Sequence, residues 1–303
     1  MANRATITYN SKTISTEDRD GSFSVTYNGK TLATIGAGAS KTLNCSGKVM
    51  ATNVVVGGKT LNCAGKLMAT NVVVSVASLV DSVLANNSWA TISAISRAGQ
   101  ASQYWKVGDT KPFTCNGTTY TAQIIAFDHD DVTSSASYGR NKVGITFQFK
   151  EAFATETKFH SSEVYGSYDT KDIHTSFIPN NILNKMESAL VAVLVGATKQ
   201  IPNNSSFSDN SLKTITNQKI LLASCREIKG SPTSGSGSTD GTQYAFYAAG
   251  NSAAKCKPNL TATSVWWTRT PFMDSSARVI NKTGSNTTRE ISADAAVAPI
   301  FFV

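Results

Sequence analysis

The segment KTLNCSGKVMATNVVV at residues 41–56 returns eighteen positions later as KTLNCAGKLMATNVVV at residues 59–74. The two copies differ only at Ser46/Ala64 and Val49/Leu67, and both differences are conservative. A looser repeat at the same spacing relates TITYNSKTIST at residues 6–16 to SVTYNGKTLAT at residues 24–34. Close repetition of a short strand unit is typical of fibrous and modular surface proteins, because each copy makes the same contacts as the one before. The repeats therefore predict a structural role for this part of the chain.

The repeat region has the pattern of paired β-strands. TITYN, SVTYN and NVVV are rich in β-branched residues, and Asn28-Gly29 and Gly57-Gly58 are turn signals. Short hairpins are marginally stable alone, so we expect oligomerisation, or docking onto a larger particle, to stabilise this region. We predict a β-repeat attachment region at residues 1–75, a linker or short helix at 76–87 and a second domain at 88–303.

Composition and charge argue against several classes of partner. Charged residues make up 16% of the chain, below the roughly 25% of typical soluble domains. This balance is typical of β-rich extracellular or virion proteins, with an ordinary cytosolic β protein as the alternative. The net charge is +8, but Lys and Arg form no dense run, which argues against nucleic-acid binding. We expect no membrane insertion and no signal peptide, because no apolar stretch has the length or position that either requires.

The five cysteines are Cys45, Cys63, Cys115, Cys225 and Cys256. They include no CxxC pair and no His/Cys cluster, which argues against a zinc site. Cys45 and Cys63 occupy the same position in the two repeat copies, so a bridge between them is geometrically conceivable. The alternative, which we favour, is two buried thiols that act as small hydrophobic side chains.

Residues 88–303 alternate between helical and strand patterns. Trp89, Ile92 and Ile95 recur at helical spacing, with Asn87 or Ser88 as the N-cap. Strands are predicted at 112–127 around an Asn-Gly turn and at 142–149, 219–224, 264–270, 277–281 and 296–303. A helix is predicted at 176–197, and polar loops at 203–218 and 229–242. The fold class is therefore α+β and β-rich.

Seven motifs follow one another along this second domain. They are SWATISAISRAGQA (88–101), YWKVGDTK (104–111), GTTYTAQIIAFDHDDV (117–132), KVGITFQF (142–149), KILLASCREI (219–228), WWTRTP (266–271) and AVAPIFFV (296–303). As a set they resemble a family of domains in proteins of Gram-positive gut bacteria and their phages. Thr268 and Thr270 depart mildly from the late motif of that family. Ala298 stands where the family usually has an arginine before the proline, so a buried arginine ion pair is not carried over to that position.

The resemblance implies a C-type-lectin-like fold, which also includes formylglycine-generating enzymes and phage tropism determinants. The units at residues 1–75 are similar to repeats in tail and baseplate proteins of the same phages. In tropism determinants of this fold, the last strands and loops form the receptor face. In some relatives, positions in this face are diversified by a retroelement, so the resemblance raises the same question for this chain.

Two features of the last forty residues indicate ligand binding. Trp266 and Trp267 are adjacent in a predicted strand, so one indole is expected in the core and the other as a surface platform; burial of both is the alternative. The segment 268–294 mixes aromatic, Met, Arg, Asn, Ser and Thr residues, as binding loops do, with a plain polar loop as the alternative. The expected ligand-binding residues are Trp266, Trp267, Arg269, Phe272, Met273, Asp274, Ser275, Arg278, Asn281 and Asn286.

The densest group of titratable residues is Asp128-His129-Asp130-Asp131. Carboxylate oxygens are ligands that Ca²⁺ prefers, so Asp128, Asp130 and Asp131 form a candidate structural Ca²⁺ site. Strand geometry would place Asp128 and Asp130 on one face. The alternative, which we favour, is a strand end whose carboxylates pair with Arg140 or Lys142. We expect no other cofactor.

These observations predict a phage virion protein of the tail-fibre or receptor-binding type. Its partners are expected to be a host-surface protein or glycan and, through the repeats, other virion proteins and two further copies in a homotrimer. One alternative is a baseplate or capsid-decoration protein without a receptor of its own. A second is an enzyme of the formylglycine-generating or glycan-hydrolase type, which we disfavour because Cys225 and Cys256 lack the context of a copper-binding pair.

Overall fold

The structure is a computed structural model. It describes residues 80–162, 166–203, 211–230, 240–248, 254–261, 263–273 and 275–303, with the backbone of residues 252–253 and of eight strands between residues 6 and 75. The chain divides into two compact units, Met1–Asp81 and Ser82–Val303. This boundary lies within the predicted linker at 76–87. Within the described residues, no helix has the length and apolar character needed to cross a membrane.

The first unit is built from short antiparallel strands. They are β1 (Thr6–Tyr9), β2 (Lys12–Ser15), β3 (Phe23–Tyr27), β4 (Lys30–Ile35), β5 (Ser40–Cys45), β6 (Asn53–Val56), β7 (Lys59–Asn62) and β8 (Asn71–Ser75). β1 pairs with β2, β6 pairs with β7, and β3-β4-β5-β8 form a four-stranded sheet. The predicted strand character of this region is confirmed. The packing of the Cys45 and Cys63 thiols lies outside the described residues.

The two close repeats pair crosswise with each other. In the β5–β8 pair Leu43 lies opposite Val72, and in the β6–β7 pair Leu61 lies opposite Val54. The KTLN segment of each copy therefore pairs with the NVVV segment of the other copy, in the same register both times. Since the two sequences are nearly identical, the same strand pairing occurs twice. The repeat thus encodes two equivalent strand pairs, one in the four-stranded sheet and one in a two-stranded sheet.

The second unit combines helices with several small sheets. Its helices are α1 (Trp89–Arg97), α2 (Ala101–Tyr104), α3 (Ser135–Tyr138), α4 (Ser188–Val191), α5 (Cys225–Lys229) and α6 (Ala245–Ala248). A π-helix spans Ile173–Ile182, and 3₁₀ turns span Leu84–Asn86, Tyr168–Thr170, Leu183–Lys185 and Ser252–Lys255. The predicted first helix is confirmed, and the Ser88 side chain caps it by accepting a hydrogen bond from Thr91 N at 3.0 Å.

The strands of the second unit form one five-stranded sheet and three smaller ones. They are β9 (Thr110–Cys115), β10 (Thr118–Phe127), β11 (Asp131–Val132), β12 (Ile145–Phe149), β13 (Thr157–Lys158), β14 (Ala197–Pro202), β15 (Leu212–Gln218), β16 (Ile220–Leu221), β17 (Val265–Met273), β18 (Ser276–Asn281), β19 (Asn286–Glu290), β20 (Asp294–Ala295) and β21 (Ile300–Phe302). The main sheet has the order β16-β21-β12-β10-β9, and all its neighbours are antiparallel. The others are β11-β14-β15, β13-β20 and β17-β18-β19. The unit is therefore a strand-rich mixture of helices and small sheets, as the composition and patterning predict.

An aromatic cluster fills the core beside the main sheet. Phe301 of β21 stacks on Phe147 of β12 with ring centroids 5.3 Å apart, and Trp89 of α1 meets Phe147 edge-on at 5.6 Å. Phe113 and Phe149 form a second edge-on pair at 4.9 Å. These rings are almost fully buried, so they supply much of the apolar area that stabilises the unit. Strand β21, near the end of the chain, thus packs in the same aromatic core as helix α1.

The predicted helix at 176–197 is partly confirmed: helical turns at Ile173–Ile182, Leu183–Lys185 and Ser188–Val191 are interrupted around Met186, and the chain becomes a strand at Ala197. Pro179 lies inside the π-helix, where it lacks an N–H donor and crowds the preceding turn. The chain then runs beside β9: Glu187 N donates to Thr114 O at 2.9 Å, and the Glu187 carboxylate accepts from Thr114 N at 2.8 Å. Tertiary hydrogen bonds therefore override the helical spacing of the apolar residues. The predicted polar loop at 203–218 is also partly wrong, because its second half forms β15.

Candidate functional site

The structure buries three of the five predicted ligand residues of β17. Trp266, Trp267 and Arg269 have no exposed surface. Trp267 Nε1 donates to Thr157 O at 2.8 Å, and its ring meets that of Phe159 at 5.2 Å. The expected surface indole is therefore absent, and the alternative of two buried tryptophans is confirmed. Adjacent side chains of a strand point to opposite faces, so one of them is exposed only when one face of the strand contacts solvent. Both faces of β17 are covered at these residues.

Four other predicted ligand residues gather at one end of the β17–β18 hairpin. Phe272 and Ser275 are half-buried, Met273 is 51% exposed, and the Arg278 guanidinium lies 4.0 Å from the centre of the Phe272 ring. We call Phe272, Met273, Ser275 and Arg278 the tip cluster. Asp274 lies outside the described residues.

The last two predicted ligand residues lie at the other end of β18. Asn281 and Asn286 are half-buried, and Asn281 Oδ1 accepts hydrogen bonds from Thr283 N and Ser285 N, both at 3.0 Å. Its side chain therefore shapes the turn into β19. The segment 268–294 is a set of hairpin strands, so the interpretation of it as a plain polar loop is wrong.

The acidic run at 128–131 is divided among three partners. Asp128 pairs with Arg140 at 2.8 Å and Asp131 pairs with Lys142 at 2.7 Å, which confirms the predicted ion pairs. Asp130 is buried and points to Lys199. The prediction that Asp128 and Asp130 share a strand face is wrong, because β10 ends at Phe127 and Asp128 has a positive φ of 50°.

The candidate Ca²⁺ site at Asp128, Asp130 and Asp131 is not formed. Among the residues that the structure describes, no group of three or more His, Cys, Asp or Glu side chains is arranged to hold a metal ion. The three carboxylates turn to three different cations, so their oxygens do not converge on one point. Each charge is compensated by a side chain of this protein.

A buried ionic network crosses the second unit. Arg269 donates to the Glu227 carboxylate through Nη1 to Oε2 at 2.5 Å and Nη2 to Oε1 at 3.0 Å. Glu227 is placed by a capping box at the start of α5, in which Ser224 N donates to Glu227 Oε2 at 2.8 Å and Glu227 N donates to Ser224 Oγ at 2.9 Å. The KILLASCREI motif thus places the carboxylate of Glu227 against Arg269 of the WWTRTP motif.

Lys199 of β14 extends the network to the acidic run. Its Nζ contacts Glu227 Oε1, lies 2.6 Å from Asp130 Oδ1 and donates to Tyr244 OH at 3.0 Å. Asp130 Oδ2 accepts from Thr146 Oγ1 at 2.6 Å and from Tyr244 OH at 3.2 Å. The ammonium group therefore lies between two carboxylates and has three acceptors, which matches its three donors.

Asp240 completes what we call the ionic network: Asp130, Lys199, Glu227, Asp240 and Arg269. Asp240 Oδ2 lies 3.8 Å from Arg269 Nε, and Thr270 Oγ1 donates to it at 3.4 Å. Asp240 Oδ1 has no hydrogen-bond partner among the described residues. All five side chains of the network are at most 6% exposed.

The three carboxyl groups of the network have different pKa values for stated physical reasons. Burial alone would raise the pKa of Asp130, but Lys199 and His129 bring it well below its usual range. Burial likewise opposes ionisation of Glu227, but Arg269 and Lys199 lower its pKa. For Asp240, burial exceeds the attraction of Arg269 and raises the pKa to about 7. The network therefore holds two ionised carboxylates and one carboxyl group that titrates near neutral pH.

An open cleft of about 310 Å³ reaches the network. His129, Lys142, Gln200 and Thr242 are among the residues that line it, together with Asp130 and Lys199. His129 Nε2 and Thr242 Oγ1 are 3.0 Å apart. The cleft gives solvent a route towards otherwise buried charges.

Sequence reasoning missed Lys199, Glu227, Asp240 and Tyr244. Lys199 carried a weak signal, since Ala197 and Ile201 flank it on the buried face of β14. Ser224 and Glu227 carried a stronger one, because Ser-x-x-Glu is the sequence pattern of a capping box. Asp240 lies within the low-complexity segment 229–242 and Tyr244 follows it, and neither carried a sequence signal.

Comparison with known proteins gives one match. A family model described as a domain of unknown function (DUF6273) matches residues 144–303, slightly more than half of the chain. The matched segment includes Lys199, Glu227, Asp240 and Arg269, but Asp130 precedes it. Neither the curated proteins nor the solved structures contain a match to this chain.

Proposed function

This chain belongs to the DUF6273 family, and we propose that it is a virion protein that recognises a host-surface ligand non-covalently. Its repeat region attaches it to other virion proteins and assembles it as a homotrimer. Its second unit, for which we propose a C-type-lectin-like fold, displays the binding surface. The ligand is a protein or glycan of the host surface.

The tip cluster is the observation that carries this proposal. Met273 is 51% exposed, and Phe272 beside it packs against Arg278. Aromatic, Met and Arg side chains are the types enriched in protein interfaces. The strand that leads to the tip is rigidly held, since Trp267 and Arg269 are fully buried. A rigid support lowers the entropic cost of binding, so this end of the hairpin suits recognition.

The topology of the second unit supports the lectin-like fold. β21 lies between β12 and β16 in the main sheet, so the chain leaves this sheet after β12, adds β16 at its edge and returns to its interior with β21. The tip cluster lies in the long segment between β16 and β21. Sites carried on irregular segments above a rigid scaffold are a common arrangement for binding.

The repeats support the attachment role. The two close copies pair in the same register, so the region is built by repetition of one set of contacts. Several copies of the chain on one particle would multiply weak single sites into strong adsorption. Recognition by avidity requires only modest affinity at each tip.

Adsorption of particles to host cells tests the proposal. Met273→Ser should weaken ligand binding at each site by about tenfold or more, as loss of a central interface side chain does, and adsorption of the particles should fall with it. Val83→Ser is the matched control, because Val83 is the other large hydrophobic residue that is exposed among the described residues, at 53%. Adsorption that is unchanged in Met273→Ser would contradict a binding role for the tip. Normal adsorption of particles that lack the chain would favour a baseplate or decoration role.

A further inference from the structure

Lys199 and Asp130 are held in direct contact away from solvent. Lys199 Nζ lies 2.6 Å from Asp130 Oδ1, and the side chains are 6% and 2% exposed. Glu227 contacts the same nitrogen, and its side chain is 0% exposed. We propose that Lys199 and Asp130 condense into an intramolecular amide bond, formed by the folded chain itself, with Glu227 as the group that transfers the proton. This inference does not depend on the identity of any external ligand.

Placement supplies much of what the condensation needs. Two reacting groups that are fixed against each other behave as if at effective concentrations of about 10⁵–10⁸ M. Transfer of one proton across the 2.6 Å hydrogen bond converts the ion pair into a neutral amine and a carboxylic acid. Burial lowers the cost of this transfer relative to water, because the neutral pair leaves no charge to desolvate.

The hydrogen bonds around Asp130 fit the bond-forming step. The neutral Lys199 nitrogen attacks the carboxyl carbon, a C–N bond forms, and negative charge develops on Oδ2. Thr146 Oγ1 at 2.6 Å and Tyr244 OH at 3.2 Å already donate to this oxygen. Donors that are fixed around a developing oxyanion stabilise the transition state.

Glu227 closes the proton balance. Its carboxylate accepts the proton that the nitrogen loses and passes it to the hydroxyl on Oδ1, so the C–O bond breaks and water leaves. The carbonyl at Oδ2 forms again and Glu227 returns to its ionised state, so the step needs no oxidant, reductant or cofactor. Arg269 Nη2, 3.0 Å from Glu227 Oε1, holds the carboxylate in place and ionised. The cleft beside Asp130 and Lys199 gives the released water an exit.

The bond would act as a covalent brace. It would tie β14 to the turn before β11 and constrain the unfolded chain between residues 130 and 199, as a disulfide constrains its loop. Within the described part of the chain, Cys115, Cys225 and Cys256 form no disulfide bond. An amide brace would not depend on the redox state of the surroundings, which suits a protein that functions outside the cell in which it is made.

The intact mass of the full-length denatured protein tests the proposal. We expect the wild type to be lighter than its sequence by one water molecule, and its tryptic digest to contain a branched peptide that joins residues 130 and 199. Lys199→Arg and Glu227→Gln should both show the full mass. Lys257→Arg is the matched control, because Lys257 is also buried, at 4% exposed, but donates to the main-chain oxygen of Phe149. It should keep the mass deficit.

Several results would overturn the proposal. A wild-type protein with the full mass would do so directly, and this result does not depend on the folding of any variant. A deficit that persists in Lys199→Arg would assign the loss of water to another site. A branched peptide that joins Lys199 to residue 227 would contradict Asp130 as the acyl partner. A cross-link that survives in Glu227→Gln would remove Glu227 from the proton transfer.

Discussion

Arg269 and Glu227 form a two-point ion pair inside the second unit, with both side chains 0% exposed. The pair joins strand β17 to the first turn of helix α5, two elements that are 42 positions apart in the sequence. Arginine suits this role because its planar group donates two parallel hydrogen bonds to one carboxylate. Arg269 is therefore a structural residue at a position where the sequence suggested contact with a ligand.

Arg269→Lys should destabilise the protein strongly. A lysine cannot make both hydrogen bonds to Glu227, so a buried charge is left with poor compensation. We expect a loss of about 3 kcal/mol in the free energy of unfolding, measured by urea denaturation. Asp131→Ala breaks the exposed pair with Lys142 and should cost less than about 1 kcal/mol. Equal effects of the two substitutions would contradict the structural role of Arg269.

Ser224→Ala should cost more stability than Ser88→Ala. Both serines cap a helix, but Ser88 is exposed, whereas Ser224 is buried and also donates to Asp240 O at 2.9 Å. Loss of an exposed cap costs about 1 kcal/mol. Loss of the buried cap also leaves the Asp240 carbonyl with one donor fewer, which adds about 1 kcal/mol or more. Thermal unfolding of the two variants compares them, and the reverse order would contradict the account.

Features that depend on contacts between residues close in sequence were predicted correctly, whereas features that depend on distant residues were not. The Ser88 cap and the Asn116-Gly117 turn were predictable because short-range rules fix them; the two turn residues have φ values of 50° and 74°. The helix expected at 176–197 is interrupted between Lys185 and Ser188, because the contacts of Glu187 with β9 outweigh the local spacing of apolar residues. Local patterns describe the preference of a segment, and tertiary contacts decide between similar preferences.

In the ionic network, too, partners close in sequence could be predicted and distant partners could not. The partners of Asp128 and Asp131 lie within twelve residues of each aspartate and were predicted from the sequence. The partner of Asp130 is 69 positions away, on a strand whose pairing only the fold defines. The motif comparison carried no arginine ion pair over to the position before Pro299, and the structure shows a buried arginine pair at Arg269. The sequence identifies its partner, Glu227, only as the glutamate of a capping box and does not indicate that it pairs with an arginine.

The stability of the protein should depend on the titration of Asp240. Its pKa is raised from an ordinary value of 3.8 to about 7, so between these values the folded protein holds a proton that the unfolded chain has released. The free energy of unfolding should therefore fall as the pH rises from about 4 to about 7, by up to about 4 kcal/mol from this group alone.

Asp240→Asn isolates this contribution. The amide cannot ionise, so the variant should gain stability relative to the wild type as the pH rises through the same window. Urea denaturation of both proteins at intervals between pH 4 and pH 7.5 measures the difference. Glu227 titrates at lower pH, where it makes the opposite contribution, and both proteins share it. A difference that does not change with pH would contradict the raised pKa of Asp240.

We propose that the buried part of β17 holds the hairpin in place and that the tip cluster binds the host-surface ligand. A crossed comparison of two variants, each assayed for particle adsorption and for thermal unfolding, tests it most directly. Trp267→Phe removes the hydrogen bond to Thr157 O and should lower stability by about 1–3 kcal/mol without changing adsorption below the unfolding temperature. Met273→Ser should leave unfolding unchanged within about 0.5 kcal/mol and should abolish most adsorption. Loss of adsorption in folded Trp267→Phe, together with normal adsorption in Met273→Ser, would contradict the account.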